Sequence, residues 1–161
     1  MNFVCTRCGA LTPTTTHDSH CHCGGLFDLA FDPPKWDEAL IDRNEWSLFR
    51  YRRFMGIDGE AWRNITMGEG MTPIIRLDDD VLLKMDYFMP TLSFKDRGAA
   101  TLVSHMAEIG VTHCVQDSSG NAGNSVAAYC ARAGITCDIY VPEGTSPKKI
   151  TMIQAHGATA H

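Results

Sequence analysis

Val111-Thr112-His113-Cys114-Val115-Gln116, then Asp117-Ser118-Ser119-Gly120, then Asn121 to Ala133 and Gly134, is the stretch on which the fold turns. A short β-branched run passes through a small, polar turn into an Ala-rich run of helical length closed by glycine, which reads as strand, loop and helix. Downstream, Thr136 to Val141 reads as a strand stopped by Pro142, and Pro147 to Ala155 as a helix with proline at its start. Upstream, Val81 to Met85 reads as a strand. Ser93 to Ile109 reads as a helix, with Ser93 and Asp96 in N-cap and N3 relation and Gly110 ending it. Strands alternating with helices predict an α/β domain with a parallel sheet and covering helices. Gly157 to His161 looks like the start of a further strand that has no room to pair, so the sheet is expected to be incomplete.

The chain has 161 residues, 44% of them hydrophobic and 20% charged. A chain of that length buries roughly 70% of its unfolded surface. Fourteen Lys and Arg against nineteen Asp and Glu give a net charge of -5, which disfavours nucleic acid and anionic membrane as partners and favours a small molecule. No run of apolar residues reaches membrane-spanning length and the start has no signal-like pattern, so a cytoplasmic protein with reduced thiols is expected.

Three segments follow from composition. Residues 1–30 are rich in Cys, His, Thr and Gly and resemble a zinc ribbon; 31–70 form an aromatic and charged connecting segment expected to pack on the main domain; 71–161 carry the α/β pattern. Cys5-Thr6-Arg7-Cys8-Gly9 and Cys21-His22-Cys23-Gly24-Gly25 place two pairs of thiols on Gly-ended turns, able to surround Zn²⁺ tetrahedrally. The Cys-x-Cys spacing is tighter than usual, and His17 or His20 could replace one ligand. A closed four-ligand centre is structural, with no position left for a substrate. Cys114, Cys130 and Cys137 read as small buried apolar residues, and His105, His113, His156 and His161 as ordinary histidines with no visible partners.

Two constellations carry chemistry. In Pro90-Thr91-Leu92-Ser93-Phe94-Lys95-Asp96-Arg97-Gly98, Lys95 falls in a first helical turn beside Phe94, where the helix dipole and desolvation would favour the free amine that forms a Schiff base with an aldehyde. In Asp117 to Ser125, nine small or polar residues at a strand's carboxyl end expose backbone N–H groups at a helix start, a cradle for carboxylate or phosphate. It matches neither the dinucleotide fingerprint nor the P-loop.

Gly68-Glu69-Gly70-Met71-Thr72-Pro73, Ser93-Phe94-Lys95-Asp96-Arg97-Gly98 and Ser118-Ser119-Gly120-Asn121-Ala122, in that order, resemble the fold type II pyridoxal-phosphate enzymes, the tryptophan synthase β-like group, and within it the threonine synthases, whose members often carry a similar Cys-rich ribbon. The resemblance implies pyridoxal 5'-phosphate as cofactor, with Lys95 as its covalent anchor and proton shuttle. Phe94 would pack against the pyridine ring, and Asn121 would bond its 3'-oxygen. Ser118, Ser119, Gly120, Asn121 and Ala122 would bind the substrate carboxylate, and Cys5, Cys8, Cys21 and Cys23 a structural zinc. The implied reaction is that of a lyase in threonine biosynthesis: O-phosphohomoserine and water give threonine and phosphate. Relatives usually have a small residue, often Gly, where this chain has Leu92. The family's loop for the cofactor phosphate and its partner for the pyridine nitrogen lie beyond residue 161, so the chain looks like the N-terminal half of such an enzyme. Competing readings are another fold type II enzyme, such as a cysteate synthase or an amino-acid ammonia-lyase, and a non-catalytic module that forms a homo-oligomer through its sheet edge. A zinc-ribbon nucleic-acid binder is disfavoured by the charge.

Overall fold

The computed structural model describes residues 1–161, which divide into two compact units, one of residues 1–41 and 51–58 and the other of residues 42–50 and 59–161. In the smaller unit, β1 (Asn2–Cys5), β2 (Leu11–Pro13) and β3 (Phe27–Ala30) form an antiparallel sheet in the order β2-β1-β3. Phe3 sits opposite Thr12 on one side and Leu29 on the other, and its ring stacks on Phe27 at 5.5 Å. Two tight turns lead out of this sheet. One runs from Cys5 to Ala10, closed by Gly9 N–H on Cys5 O at 3.0 Å; the other runs from Cys21 to Gly25, closed by Gly24 N–H on Cys21 O at 2.7 Å. Gly9 and Gly24 have φ of 74° and 77°, the left-handed region that glycine enters without penalty. Trp36 stacks on Phe54 at 5.1 Å, with Tyr51 tilted beside it.

The larger unit holds α1 (Trp62–Ile65), β4 (Ile74–Arg76), β5 (Leu82–Lys84), α2 (Lys95–Glu108), β6 (His113–Asp117), α3 (Asn121–Ala133), β7 (Thr136–Tyr140), α4 (Pro147–Ala155) and β8 (Thr159–Ala160). The α/β reading holds from β6 onward. β6, β7 and β8 are parallel neighbours in that order, with Cys114 opposite Cys137 and Asp138 opposite Thr159. Two expectations fail. The strand over Val81 to Met85 does not join the parallel sheet: β5 pairs antiparallel with β4, Ile75 opposite Leu83, in a separate hairpin turned at Asp78–Asp80. The terminal strand does pair, against β7, because His161 N–H reaches Ile139 O at 2.9 Å and Val141 N–H reaches His161 O at 3.0 Å.

α2 and α3 pack on each other through small residues. Ala99, Ala100 and Val103 of α2 are buried at the three- and four-residue spacing of one helical face, and α3 is buried along its whole length from Gly123 to Cys130. α3 ends at Gly134 in the left-handed conformation, with Ile135 N–H turned back onto Cys130 O at 2.9 Å. Ile139 and Ile153 complete the core on the helix side of the sheet, Phe49 stacks on Trp62 at 4.9 Å, and the sheet residues His113, Val115 and Tyr140 are exposed.

Gly123 fixes how the loop after β6 meets α3. A Cβ there would stand 2.5 Å from Ser118 O and 3.1 Å from Ile139 Cγ2, so the loop carbonyl rests directly on the helix backbone. Gly123→Ala is expected to destabilise the fold by about 2 kcal/mol through this overpacking, read as a lowered urea midpoint with an unchanged slope.

Candidate functional site

Lys95 and Asn121 are the first residues of α2 and α3. What brings these two helix starts together is the side chain after Lys95. Asp96 is wholly buried, and its carboxylate accepts from Thr91 N–H at 2.7 Å, from Ser125 Oγ at 2.6 Å and from the Thr91 hydroxyl. Thr91 and Ser125 hydroxyls also meet each other at 2.8 Å. Ser125 lies one helical turn after Asn121, so one carboxylate joins the strand-to-helix turn before Lys95 to the first turn that follows the Ser118–Ala122 loop. A buried carboxylate is stable only when its lone pairs are filled in this way.

The cap expected at Ser93 takes a different form. The position before α2 is Phe94 in right-handed helical conformation, Ser93 Oγ accepts from Lys95 N–H at 3.3 Å, and Asp96 turns inward instead of back to the cap. Nor is Lys95 desolvated by its neighbour. Both it and Phe94 are exposed, with the ammonium 4.7 Å from the ring centroid in a cation–π contact. Leu92 has φ of 63°, a left-handed backbone that disfavours any residue with a Cβ by about 1–2 kcal/mol, so a glycine would sit there without that cost.

Across the turn, Ser118 N–H is held by Tyr140 O at 3.1 Å and Gly120 N–H by Ser118 Oγ at 3.3 Å. The N–H groups of the first α3 turn have no carbonyl within the helix, as at any helix start. Asn121 is exposed and Ser118, Ser119, Gly120 and Ala122 half-buried. Two buried acceptors flank the loop without a partner, Gln116 Oε1 at the end of β6 and Asn124 Oδ1 in the first turn of α3. Unmatched buried acceptors beside a row of open N–H groups suit a polar ligand that supplies both donors and acceptors.

The first motif supports the other two. Glu69, wholly buried, accepts from Tyr129 Oη at 2.8 Å, Met67 N–H at 2.9 Å and Thr66 Oγ1 at 2.9 Å. Burial, and then the Glu69 charge, push the Tyr129 phenol far above its usual range and keep it a donor. A Cβ on Gly70 would meet Leu48 N at 2.8 Å, so that glycine is required by close backbone approach. Thr72 Oγ1 and Arg97 Nη2 both donate to Asp86 Oδ1 at 2.8 Å, and these contacts hold the Asp86 carboxyl below its usual range, the Thr72 hydrogen bond most of all.

In the smaller unit, the Sγ atoms of Cys5, Cys8, Cys21 and Cys23 lie within 4.8 Å of one another, with Cys5 and Cys23 at 3.5 Å and Cys8 and Cys21 at 3.7 Å. Four sulfurs around zinc at bonds of about 2.3 Å stand about 3.8 Å apart, so the donor set fits the ion. Backbone N–H groups of Cys8 and then Arg7 lower the Cys5 thiol to about 6. His17 and His20 lie outside this group, and His22 Nδ1 is 3.3 Å from Cys21 Sγ.

The sequence pattern put Lys95 and Asn121 at helix starts and grouped the four cysteines, as found, but did not reveal the groups that hold these segments: Asp96 as a bridge, Ser125, Glu69 and Tyr129. For Asp96 and Ser125 the available signal was a polar residue on the buried face of a helix; Glu69, in a loop, gave none. His113 and His161, expected to be unpartnered, both bond Asp138, at 2.5 and 2.9 Å from its two oxygens.

Residues 65–161 match the family model described as pyridoxal-phosphate dependent enzyme. The threonine synthase of Methanocaldococcus jannaschii is 31% identical, the match covering 87% of this chain and 37% of that protein. The threonine synthase of Mycobacterium leprae is 39% identical, covering 62% of this chain and 30% of that protein. The crystal structure of O-ureido-L-serine synthase superposes with a TM-score of 0.54 at 25% identity, covering 65% of this chain and 35% of that one. The chain spans between 30% and 37% of the length of these relatives.

The Asp86 pair has a pH signature. A folded-state pKa below the ordinary 3.8 means stabilisation that is complete above about pH 4 and is lost as pH falls through the folded value. Asp86→Asn is therefore expected to lower stability at pH 7 by up to about 1 kcal/mol, with the difference from the unchanged protein shrinking as pH is lowered below about 4, as measured by urea unfolding over a pH series.

Proposed function

Because the chain belongs to the family of pyridoxal-phosphate dependent enzymes, we propose that the protein is a lyase of threonine synthase type, taking O-phosphohomoserine and water to threonine and phosphate. The observation that carries this reading is the meeting of two helix starts, Lys95 on one and the Ser118–Ala122 loop on the other, in a chain whose curated relatives include threonine synthases. The family implies pyridoxal phosphate and a small-molecule substrate.

Lys95 offers an exposed primary amine on a helix anchored by its buried neighbour Asp96, so the amine is free to react while its backbone is fixed. Phe94 supplies a flat apolar face beside that amine, and Asn121 a side-chain amide at the start of the facing helix. The open N–H groups of the first α3 turn bind a substrate carboxylate, and the positive end of the helix favours its charge. When bound, pyridoxal phosphate would supply an electron sink for carbanions at the substrate's Cα and Cβ. Lys95 Nζ then moves protons to and from the substrate carbons, the general acid and base role of a positioned amine. The Cys5, Cys8, Cys21 and Cys23 cluster holds a structural zinc that staples a unit with little apolar core.

Two experiments test these readings. The purified chain mixed with pyridoxal phosphate is expected to develop a visible absorbance band that borohydride fixes, with the label found by peptide mass spectrometry on Lys95. Label scattered over Lys35, Lys84, Lys148 and Lys149 would count against the assignment. The Lys95→Ala variant of the protein is expected to lose phosphate release from O-phosphohomoserine by at least about a thousandfold. For zinc, one equivalent per chain is expected by metal analysis, and Cys8→Ser should reduce its retention against a chelator by tenfold or more. A metal content unaffected by Cys8→Ser argues against the four-thiol site.

A further inference from the structure

Three cysteines that the proposed reaction does not use converge in the core of the larger unit. Cys114 comes from β6, Cys130 from α3 and Cys137 from β7; their Sγ atoms all lie within 4.8 Å of one another, and all three residues are buried. Cys114 and Cys137 are direct neighbours in parallel register, and Cys130 descends on them from the covering helix. The cysteines are free thiols. Three sulfurs bonded to one pyramidal centre at about 2.3 Å stand about 3.5 Å apart, so thiols that lie within 4.8 Å of one another close on it by side-chain adjustment.

Charge decides which centre. The charge-bearing side chains adjoining these cysteines in the two strands are His113 and Asp138, which bond each other at the sheet face. A three-thiolate complex of monovalent copper carries two net negative charges and one of divalent zinc carries one, each an uncompensated charge in a buried apolar site. A trivalent thiophilic element bonded to three thiolates is neutral.

We propose that Cys114, Cys130 and Cys137 form a capture site for trivalent arsenic and chemically similar trivalent thiophiles. The step balances without any change of oxidation state: arsenous acid, As(OH)3, and three Cys S–H groups give As(S–Cys)3 and three waters. Three arsenic–sulfur bonds replace three arsenic–oxygen bonds, and each thiol proton leaves in a water molecule. The product ties β6, α3 and β7 together at the amino ends of the two strands, the end of the unit opposite the Ser118–Ala122 loop, so occupation staples the base of the βαβ unit. Because the thiols are buried, capture needs a transient opening of α3 from the sheet and is slow.

The test uses the full chain with Cys5, Cys8, Cys21 and Cys23 changed to Ser, so that only the core thiols remain, its fold verified by near-ultraviolet circular dichroism against the unchanged protein. Incubated anaerobically with arsenite, it is expected to gain one arsenic atom and lose three hydrogens in the native mass spectrum. Adding Cys130→Ala or, separately, Cys137→Ala is expected to weaken arsenite retention at least tenfold with the dichroism spectrum unchanged. The unchanged protein, carrying all seven cysteines, should show the same Cys130-dependent arsenic. The proposal is overturned by an absence of adduct at saturating arsenite, by an adduct that retains a hydroxyl and so uses two thiols, by retention indifferent to Cys130→Ala, or by zinc capture at these thiols as tight as arsenite capture.

Discussion

The buried carboxylate of Asp96 is the constraint on which the larger unit depends. It is enclosed where two helix starts and the turn before Lys95 converge, and its oxygens take up the Thr91 N–H and the hydroxyls of Thr91 and Ser125. Removing any one donor leaves a partly unpaired charge in the core, a situation that disrupts folds by several kcal/mol. Asp96 lies on the buried face of α2 with Ala99, Ala100 and Val103, and Lys95, at the edge of that face, is exposed. An exposed amine and a buried anchor are thus adjacent residues of one helical turn.

Glu69 repeats this logic one turn further along the same face of α3. It is the second wholly buried carboxylate, and its donors come from the local turn at Thr66 and Met67 and from Tyr129 in the middle of the helix. Asp86 adds a third acid that joins the hairpin to Arg97 on α2. Each acid pins one of the segments quoted from the sequence, so the larger unit is organised around three carboxylates as much as around its apolar face. Hydrogen bonds to ionised groups are stronger than neutral ones, and their directionality fixes helix starts to within tenths of an ångström where packing alone would not.

Much of this was legible in the sequence. α3 and α4 fall where the apolar spacing, Gly134 and Pro147 put them, because a helix with a strong stop or start signal carries its own boundary information. The cluster of four N-terminal thiols was legible for the same reason: two Gly-ended turns are local objects. The misreadings concern partners. Val81 to Met85 has the composition of a strand, and nothing local says whether its neighbour is parallel or antiparallel; the acidic turn Asp78-Asp79-Asp80 was the hint that it closes a hairpin. Asp96 had the right spacing for a cap, but spacing along a helix cannot tell an acid that turns back from one that turns in. That choice depends on Ser125, 29 residues away. The convergence of Cys114, Cys130 and Cys137 was hidden likewise, since it needs the strand register as well as the helix phase.

The Tyr129 bond to Glu69 spans 60 residues, whereas the pairing of β6 with β7 closes across the single helix between them. Entropy of loop closure rises with the logarithm of the separation, so local crossovers form readily and distant ties form on top of them. The β6–α3–β7 unit can therefore assemble as a nucleus, presenting Tyr129 on a finished helix surface to which the segment around Glu69 docks afterwards. On that order of events the glycine-rich segment at Gly68 and Gly70 is the last part of the larger unit to be fixed and the first to be released. The α3 surface around Tyr129 then stays structured during excursions that lift this segment away.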